Sequence, residues 1–214
     1  YRVPGVGQIK RNDILVFNYP HPYSWERIEM HIMQYYIKRC LGLPGDSIRI
    51  EQGFYRNNHT KEPLGNVESQ ANLSRQKADR MPDGVYRCFP LDSTFNWNVH
   101  DFGPLYIPRK GDRITVNQTN YKLYKQMIEW ESKDSLSWKD SKVYIGDKQV
   151  RQYQFQSNYY FVAGDKTENS RDSRYLGLIP EEFIVGVAWK VWKSVDPYTG
   201  EYRKGRFWKN IRNN

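Results

Sequence analysis

The chain is short of several things, and each shortage excludes a class. Of its 214 residues only two are cysteine, Cys40 and Cys88. Two cysteines so far apart make neither a zinc site nor a disulfide framework. A single bridge and a pair of free, half-buried thiols both stay open. The four histidines, His21, His31, His59 and His100, show no ligand spacing such as HxxxH, so no metal role is expected of them. No apolar run approaches the roughly 20 residues needed to span a bilayer, and no secretory signal pattern is present. Position 1 is Tyr1, not methionine. The chain therefore reads as a processed product or a fragment whose upstream segment is missing. No internal repeat is evident.

Acidic charge is also scarce, with 24 Asp and Glu against 33 Lys and Arg, a net charge of +9. That balance favours an anionic partner, for which nucleic acid and an acidic membrane surface both qualify. Aromatics are plentiful, with 17 Tyr and 7 Trp, so much of the apolar area carries a polar handle. The length suffices for a real core in one large or two small domains.

IKRNDILVFNYP (9–20) has a β-branched centre and a proline stop, and reads as a strand. YYIKRCLGLPGDSIRI (35–50) reads as strand, turn, strand, with Pro44 fixing φ and Gly45 free to take a positive φ. From 51 to about 104 the composition turns to Asn, Gln, Arg, Pro and Gly, and irregular structure is expected. LYIPRKGDRITV (105–116) is a second strand-turn-strand signal. TNYKLYKQMIEWE (119–131) carries helical spacing, with Asn117 or Thr119 as N-cap. KVYIGDKQVRQYQF (142–155) looks like a hairpin about Gly-Asp. NYYFVAGDKTENSRDSRYLGLIP (158–180) starts as an apolar strand and becomes a polar loop, and EEFIVGVAWKVWKSV (181–195) alternates as a strand.

One stretch resists a simple reading. In YYIKRCLGLPGD (35–46) Lys38 and Arg39 interrupt an apolar strand, and alternation sends them to opposite faces. One of the two charges is thus expected to face protein. Taken alone, a lysine there is more often a snorkelling edge residue, its stem covered and its head in water. By the same measure Asp172 and Arg174 would be a surface pair of little worth, and Ser170 a turn cap.

Three blocks in order shift that reading. RNDILVFNYP (11–20), YYIKRCLGLPGDSI (35–48) and GDKTENSRDSRYLGLIP (164–180), the last followed by IVGVAWKVW, resemble the bacterial type I signal peptidases. These are membrane-anchored serine proteases that remove signal peptides from exported proteins. The likeness covers roughly the first and last fifty residues. It implies a mainly β, antiparallel core built from 1–50 and 158–200. Residues 51–157 would form an inserted, β-rich second lobe with one short helix, and 201–214 a basic aromatic tail.

The resemblance also implies a chemistry. In that family a serine attacks the scissile carbonyl and a lysine, not a histidine, is the general base. A lysine serves only when neutral, which its ordinary pKa of about 10.4 forbids near pH 7. Burial in an apolar wall lowers that value toward the working pH, where proton transfer is most effective. Serine-lysine pairs are a recognised variant of the nucleophile-base arrangement. By the match Lys38 is the base, with Tyr36, Ile37 and Leu41 as apolar neighbours, and Ile37 lines the pocket for small substrate side chains. Ser170 orients the lysine. Asp172 and Arg174 brace the loop, and Gly164 and Asp165 form the turn that brings it under the lysine strand.

The departures are as informative. The family's nucleophile box, a serine followed by methionine, proline and threonine, lies upstream of the first β block and has no counterpart here. The only serine before Lys38 is Ser24, in a polar loop. Nucleophile, oxyanion hole and membrane anchor are therefore expected ahead of Tyr1, and this fragment alone is expected to be inactive. Lys166, Thr167 and Glu168 stand where Asn, Arg and Asp are usual, which unsettles the loop's hydrogen bonds. Asn12 stands where glycine is usual.

The resemblance implies no metal or organic cofactor. Its partners are signal peptides of exported preproteins and the membrane, and no nucleic acid is expected. Its location is the bacterial cytoplasmic membrane, with the catalytic region on the extracytoplasmic (periplasmic) side. The tail EYRKGRFWKNIRNN (201–214) interleaves basic and aromatic residues, as either a frayed solvated terminus or a contact with anionic headgroups. The rival reading from another class is a non-catalytic relative that binds peptide or protein at the membrane surface.

Overall fold

The computed structural model of the chain describes residues 7–211. Along the chain the first elements are β1 (Ile14–Asn18), β2 (Tyr35–Gly42), β3 (Ser47–Glu51) and β4 (Phe54–Asn57). Helices α1 (Val67–Ser74) and α2 (Asp83–Tyr86) follow, then β5 (Phe102–Tyr106) and β6 (Arg113–Thr115). The long helix α3 (Gln118–Ser132) leads to β7 (Leu136–Lys139), β8 (Lys142–Ile145), β9 (Lys148–Val150) and β10 (Gln152–Gln154). The chain closes with β11 (Tyr159–Ala163), α4 (Ser173–Leu176), β12 (Ile179–Pro180), β13 (Ile184–Ala188), β14 (Lys190–Val191) and β15 (Lys209–Asn210). The fold is mainly β, as expected, but among the described residues three short α-helices join the one legible in the sequence.

The principal sheet runs β12-β11-β2-β1-β13, every pairing antiparallel. Its strands come from both ends of the chain, so β1 and β2 are clamped between β11 and β13. Leu15, Phe17, Cys40, Leu41 and all of β11 are buried, the near-continuous apolar run of a strand covered on both faces. A second sheet, β4-β3-β5, grows directly out of β2 through the Leu43–Asp46 turn. Gly45 takes φ +94° there, the conformation a Pro-Gly turn requires.

The Asp46 carboxylate is the hub of that corner. It accepts from Arg11 Nε (2.8 Å) and Nη2 (2.5 Å), from the Leu43 N–H, from Asn57 Nδ2 and from His59 Nδ1. Burial pushes this acid up, and these partners together outweigh it and hold it below the usual carboxylate range. Asn12 sits at φ +69°, in the left-handed region that asparagine tolerates. Its amide also accepts from Gly65 N–H and donates to the Pro63 carbonyl.

The 51–104 stretch is more ordered than its composition implies. Gln70 of α1 is only 1% exposed; it accepts from Tyr55 N–H and donates to the Leu64 carbonyl, sewing the helix to β4. Helix α3 spans one residue more at each end than its sequence pattern, and Asn117 caps it by accepting from Asn120 N–H. At its other end Glu131 accepts from Tyr153 and Tyr159 hydroxyls and from the Gln156 and Ser157 N–H groups. One carboxylate thus ties α3 to the passage from β10 into β11. The expected hairpin about Gly146 and Asp147 forms between β8 and β9, while β7 extends it and β10 leaves to pair with β6.

Candidate active site

Lys38 lies in the half of β2 where the sheet opens. β1 pairs with β2 from Tyr35 to Arg39, whereas β11 reaches β2 only at Arg39, Cys40 and Gly42. Residues 35–38 therefore have a strand neighbour on the β1 side alone among the described residues. The two charges separate as alternation requires. Arg39 Nε and Nη2 grip the two Asp165 oxygens at 2.7 and 2.6 Å, partly in solvent. Lys38 turns to the other side, where its Nζ donates to Ser170 Oγ at 2.9 Å.

Tyr36 supplies the wall beside this amine. Its ring centroid lies 5.7 Å from Nζ and stacks on Tyr19 at 4.8 Å. Ile37 does not share that wall: its side chain points away and is 62% exposed. Leu41 is fully buried in the core. Covering of Lys38 therefore comes from Tyr36 and from the 164–174 loop rather than from all three expected neighbours. Partial burial pulls the Lys38 pKa below its ordinary value. Asp172 pulls it back up, and Arg174 opposes Asp172.

The loop below packs closely around Ser170. Gly164 follows Ala163, the last β11 residue in register with β2, and a Cβ at Gly164 would collide with Ser170 Oγ and press on Lys38 Nζ. Glycine is there because the two chains meet too closely for any side chain. Gly164 N–H donates to Asp172 Oδ2 at 3.0 Å. Asp172 caps α4 by accepting from Arg174 N–H, and Arg174 Nε and Nη2 return to its two oxygens at 2.9 Å. Both side chains are 0% exposed. A pair that reads in sequence as a surface contact is thus the buried centre of the loop. Burial pushes Asp172 up, but Arg174 and the Gly164 N–H outweigh it and hold it below the usual range. Burial works against the Arg174 charge as well, and Asp172 more than compensates.

The remaining candidates fall elsewhere. Ser24 accepts from the Glu26 N–H in an ordinary turn. Cys40 and Cys88 are free and buried, and burial pushes both thiols up, Cys88 to about 12. His21 is buried with its ring nitrogens against the Arg27 and Leu176 carbonyl oxygens. Among the described residues no group of three His, Cys, Asp or Glu could hold a metal ion. Sequence reasoning missed the Arg39–Asp165 clasp, because nothing in a strand residue's local context announces a partner 126 positions away.

The model of the signal peptidase, peptidase S26, family matches residues 1–192. The chain belongs to the signal peptidase family. Signal peptidase I of Buchnera aphidicola (subsp. Acyrthosiphon pisum) is 29% identical over 202 residues, covering 91% of this chain and 57% of that protein. Signal peptidase I of Pseudomonas aeruginosa is 28% identical over 203 residues, with 90% and 52% covered. A crystal structure of a signal peptidase I from Enterococcus faecalis V583 aligns over 86% of this chain and 99% of that one, with 16% identity and a TM-score of 0.41. The chain thus spans little more than half the length of these two curated relatives. The family match reaches across 51–157 as well, beyond the blocks at the two ends that carry the likeness by eye.

Proposed function

We propose that the full-length protein is a serine-lysine endopeptidase that removes signal peptides from exported preproteins, with Lys38 as general base. The observation that carries this is a half-covered amine, lowered in pKa by desolvation and held on one hydroxyl, Ser170. Such an amine can take a proton from a nucleophile near neutral pH. The attacking serine is drawn from a segment ahead of β1, in keeping with relatives of which the match covers only 57% and 52%. Residues 35–38 offer an open strand edge, and Ile37 stands exposed beside the base. An extended peptide can pair with such an edge, with its small side chains against Ile37. Asp165 with Arg39, and Asp172 with Arg174, hold the loop on either side of Ser170.

The test is to extend the reading frame upstream of Tyr1 and assay the product on a preprotein with small residues before its cleavage point. Cleavage that depends on a serine in a Ser-x-Met-x-Pro segment following an apolar span of about 20 residues is expected. Absence of that serine sinks the enzyme and leaves the peptide-binding scaffold.

We place the protein at the bacterial cytoplasmic membrane with its catalytic region on the extracytoplasmic side. No helix among the described residues is long and apolar enough to cross a membrane. Support for surface contact comes from the end of the chain. β14 and β15 pair, and Trp192, Phe207 and Trp208 cluster there largely exposed. Lys190 Nζ lies over the Trp189 and Trp208 rings at 4.8 and 5.1 Å. Aromatic rings favour the interface and each nearby cation adds about 1 kcal/mol on an anionic leaflet. Residues 212–214 lie outside the described residues. Deleting 202–214 is expected to weaken sedimentation with anionic liposomes at low salt, and unchanged binding refutes the contact.

A further inference from the structure

Helix α1 belongs to a stretch in which the sequence names no function, yet it touches the loop that carries Ser170. Ser69 is 6% exposed, and its hydroxyl donates to Glu168 while accepting the Thr167 N–H at 2.7 Å. A serine hydroxyl has one proton to donate; here that proton and a lone pair are both engaged across the seam. The hydrogen bond from Ser69 is the foremost cause holding the Glu168 carboxyl below its usual range.

The seam is anchored on the far side. Asn66 caps α1 by accepting the Ser69 N–H, and neighbouring Gln70 fixes the helix to β4 through Tyr55. On the near side the Thr167 carbonyl accepts from Arg174 Nη2 at 2.8 Å, and the turn Thr167–Asn169 leads straight into Ser170. Three supports therefore bear on the segment that aims Ser170: Asp165 on Arg39, Asp172 with Arg174, and Glu168 with Thr167 on Ser69. Two of them arise from within the principal sheet and its loop, whereas the third comes from the 51–157 segment.

We infer that Ser69 and Glu168 are positioning residues, through which α1 sets the placement of Ser170 against the Lys38 amine. Neither touches Lys38. They act by fixing the Thr167–Asn169 turn, whose displacement moves Ser170 beneath Gly164, where there is no slack. A misplacement of about 1 Å can cost on the order of 10²-fold in such sites. This rests on the reading of Lys38 as general base, and the experiment separates the two.

In the full-length enzyme, Ser69→Ala removes the acceptor for Thr167 N–H and the donor to Glu168. The expected result is a kcat lowered about tenfold with KM unchanged. The acid limb of the kcat/KM profile is expected to move to higher pH, because a loosened loop readmits water to the amine. Ser69→Thr, which keeps the hydroxyl, should restore both, and Glu168→Gln should fall between. A Ser69→Ala enzyme with wild-type kcat and profile overturns the inference. So does one whose activity falls only in step with its folded fraction while the profile stays put. Should Ser69→Ala not fold, the partly exposed Glu168→Gln decides: a moved profile supports positioning and an unmoved one refutes it. Lys38→Ala is run beside them. If it retains activity, the parent reading fails; if it is inactive while Ser69→Ala behaves as wild type, only the positioning role falls.

Discussion

Lys38→Ala in the full-length protein is expected to lower preprotein cleavage by roughly 10³-fold or more, the scale of losing an essential proton acceptor. Lys38→Arg should be nearly as damaging, because a guanidinium stays protonated throughout the accessible range. In the wild type, kcat/KM should rise with pH through the titration of Lys38, since only the neutral amine accepts a proton. Desolvation places that rise below the ordinary lysine range. Stability moves in the same direction. With its folded pKa below the unfolded value, the unfolded state binds more protons across the window between them, so stability increases with pH there. Lys38→Met removes this slope. It should keep or raise the thermal midpoint at neutral pH while activity is lost. A cleavage-competent Lys38→Ala or Lys38→Arg enzyme refutes the base role.

How much of this was legible in the sequence depends on where the signal is stored. Strands β1, β2 and β11, the Pro44-Gly45 turn and helix α3 announce themselves through local pattern, and the structure places them within a few residues. The stretch 51–104 conceals its order because tertiary contacts, not periodicity, sustain it. Gln70 reads as a polar loop residue, yet it is buried because two backbone groups from other segments need its amide. The candidate site was legible as a set of residues but not as a geometry. Ser170 beneath Lys38 joins positions 132 apart, and only the family likeness brought them together beforehand. Ile37 and Lys38 are adjacent in sequence and opposite in environment, one in solvent and the other against Ser170, as a period-2 strand dictates. The depth of Asp172 and Arg174 could not be read at all. Their spacing by two within a polar run looks like any solvated turn, and burial follows from β11 and α4 closing around them.

That burial makes Arg174→Met the largest stability change expected. Removing one partner of a fully buried pair leaves the other charge uncompensated, at a cost of roughly 3–5 kcal/mol. For a chain of this size the thermal midpoint should fall by about 10 °C. The double change Asp172→Asn with Arg174→Met should recover part of it, because no buried charge remains. The asparagine oxygen can replace only one of the two carboxylate oxygens that accept from the Gly164 and residue-174 N–H groups. The pH dependence distinguishes this from simple loss of packing. In the wild type Asp172 is held below its unfolded pKa, so its contribution is present above about 3.9 and is lost as pH falls through the folded value. Without Arg174, desolvation is the leading influence and the folded pKa rises above the unfolded one. The folded variant then binds the extra proton, and this group's contribution to its stability should decline as pH climbs above about 3.9. Because Asp46 and Glu168, also held low, contribute the same slope to both proteins, chemical denaturation from pH 3 to 7 should show a stability gap between wild type and variant that widens as pH rises. Parallel slopes, or a midpoint shift within 2 °C, would show that the pair does not bear the load of this loop. The same variant also bears on the proposed base, because Arg174 opposes the pull of Asp172 on the Lys38 amine. Wherever Asp172 stays ionised without its partner, Lys38 is drawn toward its charged form. On the proposed reading of Lys38 as base, Arg174 therefore limits how far the Asp172 charge favours the ammonium form of that amine.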